Sequence, residues 1–156
     1  MRIAFDMDGT LTPLGKAQFP SAVLRFPMNL FFREPLREGA IELMRELQAD
    51  GHELWIYTSS LRSKAYLHLW LFFAGIRLGG VVNGVSHSSA LRGKPLAPSK
   101  FPPAFGIDLL VDDSEGVMLE GEMHGFCVLV VDSGDPHWAC KVKAACQVPT
   151  GDSIKA

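Results

Sequence analysis

Five short apolar runs, separated by helical patterns, limit this chain to a narrow set of folds. The runs are residues 2–6, 54–58, 80–82, 107–112 and 126–132. Their length and their aliphatic or aromatic character are typical of buried strands. Strands that alternate with helices predict right-handed crossovers and a parallel sheet covered by helices on both faces. We therefore expect an α/β fold built on a parallel sheet.

Apolar residues at helical spacing predict four helices between the strands. These helices are residues 36–47, 61–74, 114–124 and 136–146. Glycines follow the first three, and glycine readily adopts the backbone conformation that ends a helix. Asp135 is the expected N-cap of the last helix. Residues 84–103, which are rich in Ser, Pro and Lys, are interpreted as a loop.

Length and composition predict a single domain over residues 1–156. Of these 156 residues, 47% are hydrophobic and 21% are charged, which excludes intrinsic disorder and a chain of several modules. The 15 basic residues against 17 acidic ones give a net charge of -2. No global positive field attracts polyanions, so a nucleic acid is expected only as a substrate.

The cysteines and the amino terminus favour the cytoplasm. Three cysteines fit neither an even disulfide framework nor a paired metal site, which indicates reduced thiols. Acidic residues follow the first methionine too closely for a signal peptide. The longest apolar run is far shorter than the roughly 20 residues that span a bilayer, so no membrane contact is expected.

Pairs of acidic residues close two of the predicted strands. Asp6 and Asp8 follow the first strand, where Gly9 allows a tight turn, and Asp112 and Asp113 close the fourth. Residues two apart at a strand end point to the same side. Acids packed together repel each other unless a cation lies between them or one of them is protonated. If the two strands are neighbours, both pairs share one hard cation such as Mg²⁺, which prefers oxygen ligands.

Four motifs follow one another in a fixed order: FDMDGTL, YTSS, a lysine and LLVDDS. In this order they resemble the motifs of the haloacid dehalogenase (HAD) superfamily of aspartate-nucleophile phosphohydrolases. The resemblance covers residues 3–131. It implies a HAD-like core, which is a Rossmann-like parallel sheet sandwiched by helices. It also implies a Mg²⁺-dependent phosphatase that hydrolyses phosphate monoesters.

The resemblance assigns roles to the matching positions. Asp6 is the nucleophile that forms a phosphoaspartate, and Asp8 is first the general acid and then the general base. Thr58 binds the transferring phosphoryl group, and a lysine neutralises the charge around it. The implied metal ligands are Asp6, the main-chain carbonyl of Asp8, and the acidic pair. Within that pair Asp113 is the direct or water-mediated ligand, and Asp112 is a second ligand or orients the lysine.

Two lysines are candidates for the third motif. Lys100 lies closer to the fourth strand, and the two prolines after it resemble compact family members. Lys94 is the alternative, as a substrate-binding residue or as a solvated surface charge. From the sequence, both lysines remain candidates for the third motif.

Other polar residues near the motifs are candidates for substrate binding. Gly9 and Thr10 follow the paired acids, and Ser59 and Ser60 follow Thr58. The two serines either donate to phosphate or cap the next helix. Arg62, one turn into that predicted helix, could reach a substrate anion.

Residues 11–34 are only large enough for a flap, so the resemblance is to a compact member with no large cap domain. An open site suits a large phosphorylated substrate or is covered by a neighbouring subunit. The apolar part of this flap, residues 22–32, either contacts another subunit in a homo-oligomer or packs on its own domain.

Two functions are alternatives to a phosphatase. One is a receiver-like signalling domain, against which the order of the motifs argues. The other is a non-catalytic phosphate-binding protein.

Overall fold

The computed structural model describes residues 1–16, 18–92 and 97–147. These residues contain seven strands, five α-helices and two short 3-10 helices, Met28–Leu30 and Pro102–Phe105. The strands are β1 (Arg2–Phe5), β2 (Ser21–Ala22), β3 (Leu36–Arg37), β4 (Glu53–Tyr57), β5 (Leu78–Val82), β6 (Leu109–Asp112) and β7 (Val128–Val130). The helices are α1 (Ala40–Ala49), α2 (Lys64–Phe73), α3 (Gly84–Ala90), α4 (Glu115–His124) and α5 (Trp138–Gln147). Within these ranges no helix has the length and apolar character needed to cross a membrane.

Five parallel strands form the main sheet in the order β5-β4-β1-β6-β7. Phe5 of β1 pairs with Ile56 on one side and with Val111 on the other, so β1 lies at the centre. The chain first builds the β4–β5 side and then returns to build the β6–β7 side. In open α/β sheets, ligands bind beyond the strand ends where the direction reverses, which here is between β1 and β6. The predicted parallel sheet is confirmed, and the strands that carry the two acid pairs are neighbours.

Helices cover both faces of this sheet. The larger core, which includes Leu43, Trp70 and Val142, joins α1, α2 and α5 to one face. A smaller cluster lies between the other face and α4. Side chains alternate along β1, so Phe5 belongs to the larger core and Ala4 to the smaller cluster. The sheet is therefore a middle layer whose central strands are covered on both faces, whereas the edge strand β7 is only partly buried.

The flap, residues 11–34, is held against this domain. Strand β2 pairs antiparallel with β3 in a small separate sheet, and Leu24 and Phe32 are buried in the larger core. Phe26 and Phe31 remain 77% and 70% exposed. The flap is thus anchored at both ends and keeps an apolar outer side. Among the described residues none forms a separate cap domain.

The first predicted helix begins too early. Leu36 pairs with Ala22 in the small sheet, and α1 starts only at Ala40. An apolar residue that fits helical spacing fits a short strand equally well, so the pattern could not separate the two.

Two further predictions need correction near the carboxyl side of the chain. Helix α3 occupies part of the segment interpreted as a loop, and Asn83 begins it through a capping box. None of the residues of this helix is fully buried, so its sequence lacks the helical spacing of apolar residues from which the other helices were predicted. Helix α5 begins at Trp138 and not at Pro136, and the Asp135 carboxylate accepts the His137 N–H in the turn before the helix.

Candidate active site

Three carboxylates meet at the carboxyl ends of β1 and β6. Asp6, Asp112 and Asp113 each offer one oxygen, and these oxygens lie within 4.8 Å of one another. The strands are tied together at this point, because the Asp6 N–H donates to the Val111 carbonyl at 2.9 Å. Asp6 and Asp112 are buried, whereas Asp113 is exposed. We call these three residues the acidic cluster.

Lys100 lies between two members of the acidic cluster. Its Nζ donates to Asp6 Oδ1 at 2.5 Å and to Asp112 Oδ2 at 2.6 Å. Burial opposes the charged form of this lysine, but the two carboxylates outweigh it and raise the pKa of Lys100. Of the two candidate lysines, the structure places Lys100 beside the acids. Lys94 lies outside the described residues.

The negative charge of the acidic cluster exceeds the positive charge of Lys100. Burial raises the pKa of Asp6 to about 7, with Asp112 adding to the effect and Lys100 opposing it. Burial and the charge of Asp112 also raise the pKa of Asp113. Three carboxylates thus face one lysine, and carboxylate oxygens are ligands that Mg²⁺ prefers. The donor set and its charge fit a divalent cation of this kind.

The carboxylate of Asp8 is paired with Arg62. Arg62 Nη1 donates to Asp8 Oδ2 and Nη2 donates to Asp8 Oδ1, each at 2.7 Å. The same guanidinium donates to Glu34 Oε2 from Nε at 2.9 Å and from Nη2 at 2.7 Å. Hydrogen bonds to both acids raise the pKa of Arg62. Asp8, Arg62 and Glu34 together are called the brace below.

Arg62 does not lie within a helix as predicted. Helix α2 begins at Lys64, and its N-cap is Ser63, whose side chain accepts the Tyr66 N–H. The expectation that Ser59 or Ser60 caps this helix is therefore wrong. Arg62 belongs to the loop after β4, from which its side chain reaches back toward β1.

Thr58 and the two serines after it lie at the end of β4. Thr58 is completely buried, and its hydroxyl donates to Ser60 Oγ and accepts the Ser60 N–H, both at 3.1 Å. Ser59 is exposed. In this arrangement Ser59 presents its side chain to solvent, while the Thr58 hydroxyl is engaged in a local turn.

Gly9 and Thr10, in the loop after β1, both have polar groups that are already hydrogen-bonded. The Gly9 N–H donates to the Thr12 carbonyl at 2.8 Å, and the Thr10 hydroxyl donates to Asp113 Oδ1 at 3.5 Å. Gly9 has a φ of +93°, and a Cβ at this position would overlap the Asp113 carboxylate. Glycine thus serves the backbone conformation and leaves room for Asp113.

A cavity of about 360 Å³ opens over the acidic cluster. Its walls are formed by Asp6, Asp8, Leu14, Ser59, Ser60, Ser99, Lys100, Asp112, Asp113, Ser114 and Val117. Asp6 and Asp8 therefore face one site, as their spacing predicts. A larger groove of about 650 Å³, between the flap and α1, contains none of these acids.

Sequence reasoning missed the residues that hold the Lys100 loop. The Phe101 N–H donates to Tyr57 Oη at 2.8 Å, and this oxygen lies 2.6 Å from His87 Nδ1. On the other side of Lys100, the Ser99 hydroxyl donates to Glu120 at 2.6 Å. Tyr57 is the first residue of the YTSS motif, but no role was predicted for it. No motif marks the other residues, and Glu34 of the brace was missed for that reason.

Known structures share this architecture. A predicted HAD-like family hydrolase from Porphyromonas gingivalis is 12% identical over 94% of this chain and 98% of its own, with a TM-score of 0.51. The D,D-heptose 1.7-bisphosphate phosphatase from B. bronchiseptica, complexed with magnesium and phosphate, is 16% identical over 96% of this chain and 89% of its own, with a TM-score of 0.53. This chain therefore has the HAD-like fold.

A weaker likeness involves a Pnkp1/Rnl/Hen1 complex. The match is 17% identical with a TM-score of 0.46, and it covers 86% of this chain but only 47% of the other. This chain thus spans about half the length of that protein. No protein-family model matches the sequence, and a search of curated proteins finds no match.

Proposed function

We propose that this protein is a Mg²⁺-dependent phosphatase that hydrolyses a phosphate monoester through a phosphoaspartate on Asp6. The observation that carries the proposal is the placement of Lys100 between Asp6 and Asp112, beside a cavity that Asp8 also lines. The HAD-like fold supports the proposal, as does the phosphatase with magnesium and phosphate among its structural neighbours. The substrate is a phosphorylated small molecule or macromolecule.

The proposed reaction divides the work between two carboxylates. Asp6 attacks phosphorus, and the ester oxygen leaves with a proton from Asp8. Asp8 then takes a proton from the water that hydrolyses the phosphoaspartate. Lys100 holds the Asp6 carboxylate and offsets the charge that develops beside it. Ser59, which is exposed in the cavity, is a proposed donor to the phosphate, together with Thr58.

A bound Mg²⁺ would have carboxylate ligands from the acidic cluster and the main-chain carbonyl of Asp8. Such an ion supplies positive charge that lowers the repulsion between the phosphate and the carboxylates. Lys100 alone does not neutralise the three carboxylates of the acidic cluster, so a divalent cation would compensate the remaining negative charge.

Substitution of the nucleophile tests the proposal. Wild-type protein is expected to hydrolyse p-nitrophenyl phosphate with Mg²⁺ and to lose this activity in EDTA. Asp6→Asn keeps the side-chain shape but removes the nucleophile, so turnover should fall by about 10³-fold or more. Asp108→Asn is the matched control, because Asp108 is exposed and its carboxylate accepts the Arg2 N–H at the other end of β1.

Full activity in a folded Asp6→Asn protein would remove Asp6 from the mechanism. Wild-type protein that binds phosphate but turns over no ester would instead favour a non-catalytic phosphate-binding function.

A further inference from the structure

Arg62 connects the flap to the proposed acid–base residue. We infer that Arg62 and Glu34 are positioning residues that orient Asp8 for proton transfer, and that Glu34 makes this orientation depend on the flap. The inference rests on the proposed phosphatase function and extends it to residues outside the four motifs. Its basis is the hydrogen bonding of a single guanidinium.

Every N–H of the Arg62 side chain has an acceptor. Arginine carries five such donors in a rigid planar fork. Two of them bind the oxygens of Asp8, two bind Glu34, and the last binds Ser60 Oγ at 3.0 Å. A guanidinium that binds an incoming phosphate needs a free edge, and this one has none. The sequence-based hypothesis that Arg62 reaches a substrate anion is therefore replaced by a positioning role.

The two-point contact fixes the plane of the Asp8 carboxylate. A bidentate arginine–carboxylate pair sets the angle as well as the distance between its partners. Each Asp8 oxygen that accepts from Arg62 keeps a second lone pair, and the proton of the general-acid step lies on one of these, within hydrogen-bond reach of the leaving oxygen. The angle that Arg62 sets therefore affects the rate. Arg62 acts on the reaction through Asp8 and does not itself touch the reacting atoms.

Arg62 is held in place from two directions. The buried side chain of Asn83, at the end of β5, donates to the Arg62 carbonyl at 3.0 Å. Glu34 holds the guanidinium from the flap, two residues after Phe32 enters the larger core. Loss of the Glu34 charge would leave Arg62 with free donors, so the guanidinium, and with it the plane of the Asp8 carboxylate, would be held less firmly.

The first test compares leaving groups. Glu34→Gln and Arg62→Lys should lower kcat/KM about 10²-fold for an alkyl phosphate, whose poor leaving group needs a proton. For p-nitrophenyl phosphate, whose leaving group needs none, the loss should stay below about threefold. Inhibition by inorganic phosphate should not change. In Arg62→Ala, added guanidinium ion should restore part of the alkyl phosphate activity.

The matched control is Glu53→Gln, which removes the acid of the Arg2–Glu53 pair, joined at 2.9 Å at the opposite end of the sheet. This variant should leave both substrates unaffected. Equal losses for both leaving groups, together with weaker inhibition by inorganic phosphate, would overturn the inference and assign Arg62 to phosphate binding.

A second measurement does not need turnover. Arg62→Met should speed amide hydrogen exchange at Phe31 and Phe32 in the flap, whereas Glu53→Gln should not. Unchanged exchange would show that the brace does not hold the flap. If the wild type hydrolyses no phosphate ester, the proposed function and the catalytic part of the inference both fail, and the exchange result alone decides whether the brace exists.

Discussion

The two sides of the candidate site differ in how they are built. Asp6 directly follows β1, Lys100 lies in the segment before β6, and Asp112 ends β6. The side chains of these three residues are only 2–7% exposed. The brace comes from two loops and the flap, and its side chains are 22–31% exposed. Water can replace a broken contact in the brace but not in the buried group. The position of Asp6, the proposed nucleophile, is therefore fixed when the sheet forms, whereas that of Asp8, the proposed acid–base residue, depends on how the flap packs.

Removal of the buried lysine should show this difference most strongly. Lys100→Met leaves two buried carboxylates without their cation, so the free energy of unfolding in EDTA should fall by about 3 kcal/mol or more. Arg62→Met, on the exposed side, should cost less than about 1 kcal/mol. Urea unfolding measures both. Lys143→Met, which breaks the exposed Lys143–Glu46 pair, should leave the midpoint unchanged.

Equal losses from Lys100→Met and Arg62→Met would contradict the comparison, because burial would then not separate the two sides.

Gly9 offers a test of the exposed member of the acidic cluster. In Gly9→Ala the new Cβ overlaps the Asp113 carboxylate, so Mg²⁺ affinity measured by calorimetry should fall roughly tenfold. Gly51→Ala is the matched control, since Gly51 has a φ of +85° and nothing lies within 4 Å of an added Cβ. Both variants lose stability through backbone strain, but only Gly9→Ala should lose metal affinity. Equal affinity in the two variants would place the metal away from Asp113.

The buried carboxyl group of Asp6 should also make the free energy of unfolding depend on pH. Burial raises the pKa of Asp6 from its ordinary 3.8 to about 7. Between these values the folded state holds a proton that the unfolded state releases, so stability present at low pH is lost as the pH rises through about 7. Urea unfolding in EDTA between pH 5 and 8 should show this decline. Asp6→Asn should reduce the slope, and an unchanged slope would assign it to another group.

Motif residues could be predicted because strand ends and a parallel topology already place them together. Asp6 and Asp112 meet wherever β1 and β6 are neighbours. The contact between Glu34 and Arg62 depends instead on the path of the flap, which has no periodicity. Helix α3 was not predicted because none of its residues is fully buried, and the capping box of Asn83 was found only in the structure. The buried hydroxyl of Thr58 depends on a local turn that no spacing rule describes.

The central position of β1 affects how the chain acquires activity during synthesis. Phe5 pairs with Ile56 and Val111, so the second neighbour of β1 is made only after two thirds of the described chain. Translation proceeds from the amino terminus, and Asp6 leaves the ribosome long before Lys100 and Asp112. A nascent chain that ends before β6 carries the proposed nucleophile without the charges that position it. Under the proposed function, hydrolysis is therefore expected only after β6 has joined the sheet, and chains that end before it should be inactive.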